Sequence, residues 1–512
     1  MTQTMSILQI GGTDWTNQVA DYPLDWTFCQ NIDLPVLLAR QKSPKSLPFN
    51  YVLLTDSILD SAVLARQIQE WPAYRVLYLG ELKDFTPTIQ KALVERRAFS
   101  LSEQTAESVA EKILRDFYQG QAGFATRFSE NQLLPENNYA WHWRRAGRFE
   151  TTVSGDFGDS FQQIATLKTF PGDFQPSQEN LLYADYSTTG SVELALSFVF
   201  FQNGGLQQLK LFQNPDARKL PMVRAPKDYQ DYQIMVLAKG IGSLTLRNLH
   251  QRKSRHGVGY FIPGGERFLT ADGQEIHSYF NPGCKKGPLV VAFAGTRLHV
   301  EGFEMMGPLD ELGYPYLLFT DTRAQGGAFM VGNEEFEQLV MARISEAELS
   351  LGQEAENTIF TGYSMGSYPA MYYAGKMKSR HLVIAKPIIN LGSFTAKGSF
   401  AHQGINHDWP IDVRQVLTGR LDERDTGALN RKLWSALDQL NWPKTHVDLY
   451  TMQQDEYDGE SFPQLLDYLK EKQAQLHHVE VPGRHEEKIA VMIDFIQKSI
   501  EKQAQQQMGG FR

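Results

Sequence analysis

The sequence predicts an α/β protein in three parts, and two observations support this prediction. First, alternating strand-like and helix-like runs give way to a period of two in the middle of the chain and return in the last part. Second, a Gly-x-Ser-x-Gly pentapeptide at residues 362–366 follows an apolar run and precedes a helical one. We therefore predict a small N-terminal parallel α/β domain (1–132), a jelly-roll-like β-sandwich (133–280) and a C-terminal α/β-hydrolase-like domain (281–512).

The first part of the chain alternates short apolar strands with helices. Strand-like runs start at Ile7, Tyr51 and Arg75, while Ser61–Trp71 and Glu103–Tyr118 place apolar residues at helical spacing. Strands that are joined by helices pair in parallel, because the crossover returns the chain to the same end of the sheet. This order predicts the small parallel α/β domain.

The middle of the chain has the period of two that half-buried strands show. Val192–Phe198 and Ser243–Leu249 alternate apolar with polar residues, and turn signals such as Asn203-Gly204-Gly205 separate such runs. The stretch 133–148 is predicted to be a linker into this region. Short alternating strands without helices predict the sandwich. A fold of this kind can bind carbohydrate on a concave face or serve as a spacer, and the sequence leaves both interpretations open.

The last part of the chain returns to strands that are separated by helices. Near-continuous apolar strands between helices are typical of a parallel sheet that is covered on both faces. One long interruption, residues 389–444, is predicted to be a cap insertion over the C-terminal edge of this sheet. The predicted strands begin at Leu289, Tyr316, Thr358, His381, Val447 and Val479, and the predicted helices span Glu334–Ser350, Ser367–Met377, Phe462–Gln473 and Glu486–Gln503.

The pentapeptide Gly362-Tyr-Ser-Met-Gly366 has the pattern of a nucleophile elbow. In this turn a serine lies in strained backbone between a strand and a helix, and neighbouring chain can approach closely only where glycines have no side chain. The serine is then held at the N-terminus of a helix, where backbone N–H groups can stabilise an oxyanion. Ser364 is therefore the candidate nucleophile.

An acid and a histidine follow the candidate nucleophile in the order that an α/β-hydrolase sheet requires. Asp455, Glu456 and Asp458 come after one predicted strand, and His485 comes after the next. A histidine base activates the serine, and a carboxylate holds the tautomer of the histidine and stabilises its cation. We predict Ser364, Asp455 and His485 as catalytic residues, since Asp455 lies nearest the strand end, and we keep Glu456 as the alternative acid.

Two backbone N–H groups are predicted to form the oxyanion hole. One belongs to Met365, directly after the nucleophile, and the other to Thr296, in the loop after the strand that starts at Leu289. Five further side chains could line a pocket at this edge, although loop residues of these types are more often surface residues. They are Arg297, His299, Arg323, His402 and His407.

The composition argues against several other functions. A net charge of −9 does not provide the basic surface that nucleic-acid binding requires. No His or Cys spacing resembles a metal site, and Cys29 and Cys284 lie in different predicted domains. Gly11-Gly12 lacks the remainder of a phosphate-binding motif, so no bound cofactor is expected. A cytoplasmic protein is expected, because neither a signal peptide nor an apolar run of membrane-spanning length is present.

Three motifs resemble a known family. They are Gly-Tyr-Ser-Met-Gly-Ser at 362–367, Tyr-Thr-Met-Gln-Gln-Asp-Glu-Tyr-Asp at 450–458 and Pro-Gly-Arg-His at 482–485. Together with the order of the three parts, they resemble the second accessory secretory protein of the accessory Sec system, a family that serves the export of serine-rich repeat glycoprotein adhesins. By motif, the resemblance assigns the family's nucleophile to Ser364, its base to His485 and its acid to the Asp455-Glu456 pair.

The resemblance also implies a substrate and partners. It implies an O-acetyltransferase that acts on N-acetylglucosamine residues of the adhesin, with an acetyl donor that the sequence does not identify. It implies partnership with other accessory secretory proteins, with an accessory SecA motor and with the glycosylated adhesin. The protein would be cytoplasmic or peripheral at the inner face of the cell membrane. From the residues alone, a non-catalytic export scaffold and a carbohydrate esterase with the same triad remain open.

Overall fold

The computed structural model describes residues 4–30, 49–56, 62–129, 133–136, 138–167, 178–324, 326–397 and 409–509, and the statements below concern these residues. They form a parallel sheet near the N-terminus, two antiparallel sheets in the middle and a mixed sheet toward the C-terminus. The chain is thus a mixed α/β protein. Within the described ranges, no helix combines the length and the apolar composition needed to cross a membrane.

The N-terminal sheet has five parallel strands in the order β2-β1-β3-β4-β5. The elements are β1 Met5–Ile10, β2 Leu24–Cys29, β3 Tyr51–Leu54, α1 Ala62–Glu70, β4 Val76–Leu79, α2 Pro87–Glu95, β5 Phe99–Leu101 and α3 Ala106–Asp116. Successive residues of β1 face opposite sides, so Leu8 and Ile10 lie in one core and Met5 and Ile7 in another. The predicted parallel strands and both predicted helices of this region are confirmed.

The middle of the chain forms two antiparallel sheets that enclose one core. The strands are β6 Gly123–Arg127, β7 Leu133–Pro135, β8 His142–Ala146, β9 Glu150–Asp156, β10 Gln162–Leu167, β11 Glu179–Gly190, β12 Glu193–Gln202, β13 Gly205–Gln213, β14 Met222–Arg224, β15 Asp231–Lys239 and β16 Ile241–Lys253. One sheet has the order β13-β12-β15-β10-β7 and the other β14-β11-β16-β9-β8, with β6 also paired to β16. Leu194, Leu196 and Phe198 of the first sheet share the core with Leu244 and Leu246 of the second, as the period of two predicts.

The C-terminal sheet has eight strands in the order β17-β18-β20-β19-β21-β22-β23-β24. The elements are β17 Glu266–Leu269, β18 Glu275–Asn281, β19 Val290–Phe293, α4 Met306–Leu312, β20 Tyr316–Thr320, α5 Glu334–Leu351, β21 Ile359–Tyr363, α6 Ser367–Met377, β22 His381–Ala385, α7 Leu391–Lys397, α8 Trp409–Thr418, α9 Thr426–Leu437, β23 His446–Met452, α10 Phe462–Glu471, β24 Gln475–Val481 and α11 Ile489–Gly509. From β20 to β24 every neighbouring pair is parallel, while β17 and β18 are antiparallel. Alternate strand residues enter cores on opposite faces, as Val291 and Val290 do. The predicted doubly covered sheet is confirmed, with α6 at the predicted bounds.

Sheet membership differs from the predicted division at both ends of the middle region. Strand β6 lies ahead of the predicted start at residue 133 but pairs with β16 of the sandwich. Strands β17 and β18 lie before residue 281 but join the C-terminal sheet through β20. The stretch 133–148, predicted to be a linker, holds β7 and β8. An antiparallel strand has the same period in either sheet, so periodicity cannot assign its pairing partner.

The interruption at 389–444 contains α7, α8 and α9, which pack against one another and against α6. Residues 398–408, among them His402 and His407, lie outside the described residues. Helix α8 also contacts the sandwich: Asp412 pairs with Arg127 where both side chains are buried, and the amide of Gln415 donates to Glu150 at 2.7 Å. These contacts join the inserted helices to the sandwich as well as to the C-terminal sheet.

Candidate active site

Ser364 lies on a sharp turn between β21 and α6. Its φ of 51° falls in the left-handed region that residues with a side chain rarely adopt. A Cβ added at Gly362 would lie 2.1 Å from the carbonyl oxygen of Gly366, and one at Gly366 would lie 2.2 Å from the carbonyl oxygen of Phe293. Both glycines are therefore required by close backbone approach, as the nucleophile-elbow pattern predicts.

His485 lies between Ser364 and Asp455 and contacts both. Its Nε2 is 2.8 Å from Oγ of Ser364, and its Nδ1 is 2.7 Å from Oδ2 of Asp455. A carboxylate oxygen only accepts, so contact with Asp455 assigns the proton to Nδ1 and leaves Nε2 free to accept from the serine hydroxyl. His485 is 4% exposed. The arrangement is that of an activated nucleophile: a hydroxyl, a base and a group that orients the base.

The three carboxylates of the loop after β23 have different contacts. Asp455 reaches the imidazole of His485, and its other oxygen accepts from the N–H of Tyr457 at 2.9 Å. Glu456 instead accepts from the backbone N–H of His485 at 3.0 Å. Asp458 is buried and accepts from Ser461 and from the two backbone N–H groups at 389–390. Of the three, Asp455 has the position that the acid of a triad requires.

Two residues that the sequence analysis did not single out hold His485 in place. Lys386, directly after β22, is 1% exposed and donates from Nζ to the backbone carbonyls of His485 and Glu487, the latter at 2.6 Å. Burial lowers the pKa of this lysine. The ring of Tyr457 lies 4.3 Å from the ring of His485, and its hydroxyl donates to Glu486 at 3.1 Å. The sequence did contain a signal for Lys386: a lysine directly after a buried strand needs hydrogen-bond acceptors for its ammonium group.

Glu304 joins the loop after β19 to β21, the strand that ends directly before Ser364. Its Oε2 accepts from the backbone N–H of Gly295 at 2.8 Å and from the hydroxyl of Tyr363 at 3.0 Å. The two residues predicted for the oxyanion hole are also in contact, since the hydroxyl of Thr296 lies 3.5 Å from the sulfur of Met365. The two loops from which the oxyanion hole would be built are thus adjacent. Sequence reasoning missed Glu304, which precedes α4 in an irregular stretch.

The other predicted pocket residues have contacts of their own. Arg323 donates to Asp321 at 2.7 Å, to the carbonyl of Val331 at 2.9 Å and to the side chain of Gln274 at 2.9 Å, so its guanidinium is held by protein groups. Arg297 lies 3.5 Å from Glu304. His299 is exposed, and its carbonyl accepts from the N–H of Ala125. Among the described residues, no three His, Cys, Asp or Glu side chains are grouped so that they could hold a metal ion.

Comparison with known proteins gives consistent matches over nearly the whole chain. The profile of the family described as accessory Sec system GspB-transporter, the accessory secretory protein 2 family, matches residues 5–508. The accessory Sec system protein of Staphylococcus aureus is 31% identical over 382 residues, which are 72% of this chain and 70% of that protein. Its counterpart in Streptococcus gordonii is 26% identical over 511 residues, or 97% of each chain.

One solved structure matches the fold over the same length. A chain of the Glycosylation Associate Protein (Gap123) complex from Streptococcus agalactiae superimposes with a TM-score of 0.81, at 25% identity, over 97% of both chains. The similarity therefore includes the N-terminal sheet and the sandwich as well as the sheet that carries Ser364. The chain belongs to the accessory Sec system GspB-transporter family.

Proposed function

We propose that the protein is a serine-dependent O-acetyltransferase that modifies N-acetylglucosamine residues of serine-rich repeat glycoprotein adhesins and is required for their export. The observation that supports this proposal most directly is the hydrogen-bonded series Ser364, His485 and Asp455 in a member of an accessory Sec family. The strained backbone at Ser364 supports it further, since strain of this kind is concentrated at functional sites.

The first half of the reaction transfers the acetyl group to the enzyme. Oγ of Ser364 attacks the carbonyl carbon of the acetyl donor while its proton passes to Nε2 of His485. The carbonyl π electrons move to oxygen, and the resulting oxyanion accepts from the N–H groups of Met365 and Thr296. When this intermediate collapses, the bond to the leaving group breaks, the leaving group takes the proton from His485, and an acetyl ester of Ser364 remains.

The second half passes the acetyl group to the sugar. A hydroxyl of N-acetylglucosamine attacks the ester carbonyl and gives its proton to His485, which returns it to Oγ of Ser364 as the ester bond breaks. Water could attack in the same way, so the choice between transferase and esterase depends on how well the site excludes water and holds the sugar. In both halves Asp455 orients His485 and stabilises its cation.

We propose that the sandwich contributes to this choice by holding the glycosylated chain near Ser364. The ion pair and the hydrogen bond that join the sandwich to α8 support a fixed placement of the two parts. The test is a calorimetric titration of the complete Ser364→Ala protein with a peptide carrying N-acetylglucosamine and with the same peptide without sugar. Equal affinity for the two peptides would remove the sandwich from the proposal.

We further propose that the chain acts in a complex with other accessory secretory proteins, with the accessory SecA motor and the glycosylated adhesin as further partners. The support is the match to a chain of the Gap123 complex over 97% of its length. The proposed activity would then take place in the cytoplasm or at the inner face of the cell membrane. Co-purification of the tagged chain with these proteins from cells tests the partnership.

The intact mass of the exported adhesin tests the activity. Cells with the Ser364→Ala protein should export adhesin that lacks the acetyl mass increments found with the unmodified protein. An adhesin of unchanged mass would overturn the acetyltransferase proposal. A second candidate function, a non-catalytic export scaffold, is favoured by family similarity that also covers the two parts without the serine. The scaffold function predicts that Ser364→Ala leaves the amount of exported adhesin unchanged. Transfer of the acetyl group to sugar distinguishes the proposed acetyltransferase from an esterase.

A further inference from the structure

A cleft lies where the N-terminal sheet meets the C-terminal part of the chain, and the proposed reaction does not use it. Its volume is about 250 Å³. The lining comes from three places: the ends of N-terminal strands and of α3, the segment 255–263 after the sandwich, and β18 with the start of α4. Junctions between folded parts are frequent positions for small-molecule sites. The side chains that matter for the argument are Tyr51, Tyr74, Arg75, Tyr118, Arg255 and Tyr279.

The cleft holds two guanidinium groups that form no ion pair with a carboxylate in the part of the chain that the structure describes. Arg75 donates to the carbonyl of Asn50 at 3.4 Å, and its guanidinium lies 5.4 Å from the ring centre of Tyr51, whose hydroxyl it also contacts. Arg255 is 2% exposed and donates to four backbone carbonyls. Within the described ranges, no carboxylate lies within ion-pair distance of either guanidinium. A buried cation without a counter-ion is costly, so an anion in the cleft would stabilise the structure.

A third basic side chain lies beside the two arginines, and the nearby acids have other hydrogen-bond partners. Lys253, next to Arg255, has its Nζ 3.6 Å from the ring centre of Tyr118, and burial together with Arg255 lowers the pKa of this lysine to about 8. The carboxylate of Asp116 contacts the side chains of Lys112, Arg115 and His256. That of Asp310, near Arg75, accepts from Tyr316 and Asn281. Each acid lies within electrostatic range of one of the two arginines, but within the described ranges neither forms an ion pair with Arg75 or Arg255.

The tyrosines provide ring surfaces beside the charge. Tyr74 has a φ of 65°, which is unfavourable for a bulky residue. Its ring lies so close to Gly264 that a Cβ there would be 2.2 Å from it, and its hydroxyl donates to Phe280 at 2.9 Å. The ring of Tyr279 lies 5.3 Å away, and the part of the chain that the structure describes offers its hydroxyl no hydrogen-bond partner. Strained, fixed aromatic side chains are typical of binding sites rather than of plain junctions.

We propose that this cleft binds a small anionic molecule that carries a ring, of the size and chemistry of a phosphorylated monosaccharide. The anionic group would lie between Arg75 and Arg255. Arg75 would supply most of the donors to the phosphate oxygens, because four of the five N–H groups of Arg255 are already bound to backbone carbonyls. The ring would pack against the tyrosines, with the hydroxyl of Tyr279 available for a hydrogen bond. The volume falls below the roughly 300 Å³ at which sites for drug-sized ligands begin, and this favours a monosaccharide over a nucleotide.

Calorimetric titration of the complete protein tests the ligand class. The probes are glucose 6-phosphate, inorganic phosphate and glucose, at constant ionic strength. Glucose 6-phosphate should bind with a Kd of about 1 mM or tighter, inorganic phosphate about tenfold more weakly, and glucose not measurably. Equal affinity for phosphate would overturn the role of the ring. Absence of binding by both anions, or binding of glucose alone, would overturn the proposal.

Variants test the position. Arg75→Gln should weaken glucose 6-phosphate binding about tenfold, because it removes the cation with the fewest structural contacts. The matched control is Arg66→Gln at an exposed position of α1, where Arg66 pairs with Glu70, and this variant should bind as the unmodified protein does. Tyr279→Phe removes one hydroxyl and should weaken glucose 6-phosphate binding severalfold. This second variant tests the site if Arg75→Gln fails to fold. Unchanged affinity in a folded Arg75→Gln protein would overturn the site, whatever the fate of the acetyltransferase proposal.

Discussion

The N-terminal and C-terminal sheets are both built from parallel strands between helices, yet their strand ends differ in chemistry. After β1, Gly11 and Gly12 adopt left-handed backbone, and the hydroxyl of Thr55 donates to the carbonyl of Gly11 at 2.5 Å. That strand end satisfies its own polar groups. After β21, Ser364 lies in strained backbone and contacts His485. The comparison indicates that parallel α/β architecture provides the scaffold, while the residues after the strands decide the chemistry.

The largest expected effect comes from removing the nucleophile at the C-terminal sheet. Ser364→Ala should lower the turnover of p-nitrophenyl acetate by about 10⁴-fold or more, since the members of a triad act as a unit. The free energy of unfolding in urea should stay the same or rise slightly, because the change removes only one hydroxyl from a strained turn. An acetyl adduct at Ser364, seen by intact-mass spectrometry in the unmodified protein and absent in the variant, completes the measurement.

The next effect separates the two neighbouring carboxylates. Asp455→Asn keeps the shape but disturbs the tautomer of His485, and we expect turnover of the same ester to fall by up to about 10⁴-fold. Glu456→Gln is the matched control: it can still accept from the backbone N–H of His485 and should cost less than about tenfold. If the larger loss came from Glu456→Gln, the assignment of the acid would be reversed.

A smaller effect is expected at Glu304, which contacts the loop of the proposed oxyanion hole but none of Ser364, Asp455 and His485. Glu304→Ala frees the N–H of Gly295 and the hydroxyl of Tyr363, and we expect kcat to fall by about 10²-fold, the lower range for losing one oxyanion donor. KM should change little, because the carboxylate acts on the transition state through the loop. Glu304→Gln keeps an acceptor oxygen, so its kcat should lie between those of Glu304→Ala and the unmodified protein. Equal losses in Glu304→Ala and Tyr363→Phe would assign the effect to the tyrosine contact alone.

The smallest effect on activity is expected at the N-terminal sheet. Thr55→Val removes the hydrogen bond that closes the end of β1 and should lower the free energy of unfolding by about 1 kcal/mol. Ester turnover should remain that of the unmodified protein. A marked loss of turnover in a folded Thr55→Val protein would contradict the comparison, because it would give this strand end a part in the chemistry.

Much of the fold follows from local pattern. The bounds of α6, the parallel strands and the alternating strands of the sandwich all agree with hydrophobic period, since burial on one face or two leaves its mark residue by residue. The helix predicted from Glu486 begins only at Ile489, because the loop that positions His485 extends that far. Strands β17 and β18 lie largely within the stretch predicted to be the sandwich, but β18 pairs with β20 of the C-terminal sheet and β17 pairs with β18. The period of the apolar residues predicts which face of a strand is buried, but it does not predict which strand lies beside it.

The sequence by itself determined the turn at Ser364, because the backbone around positions 362 and 366 leaves room for no residue larger than glycine. It also determined the order of nucleophile, acid and histidine. Only the tertiary structure decided which carboxylate reaches His485, since three acids in one loop are equivalent until the loop is folded. The tertiary structure alone also decided that the carboxylate of Glu304 contacts the backbone N–H of Gly295. Both contacts are made by loop residues, and such contacts leave no periodic signal in a single sequence.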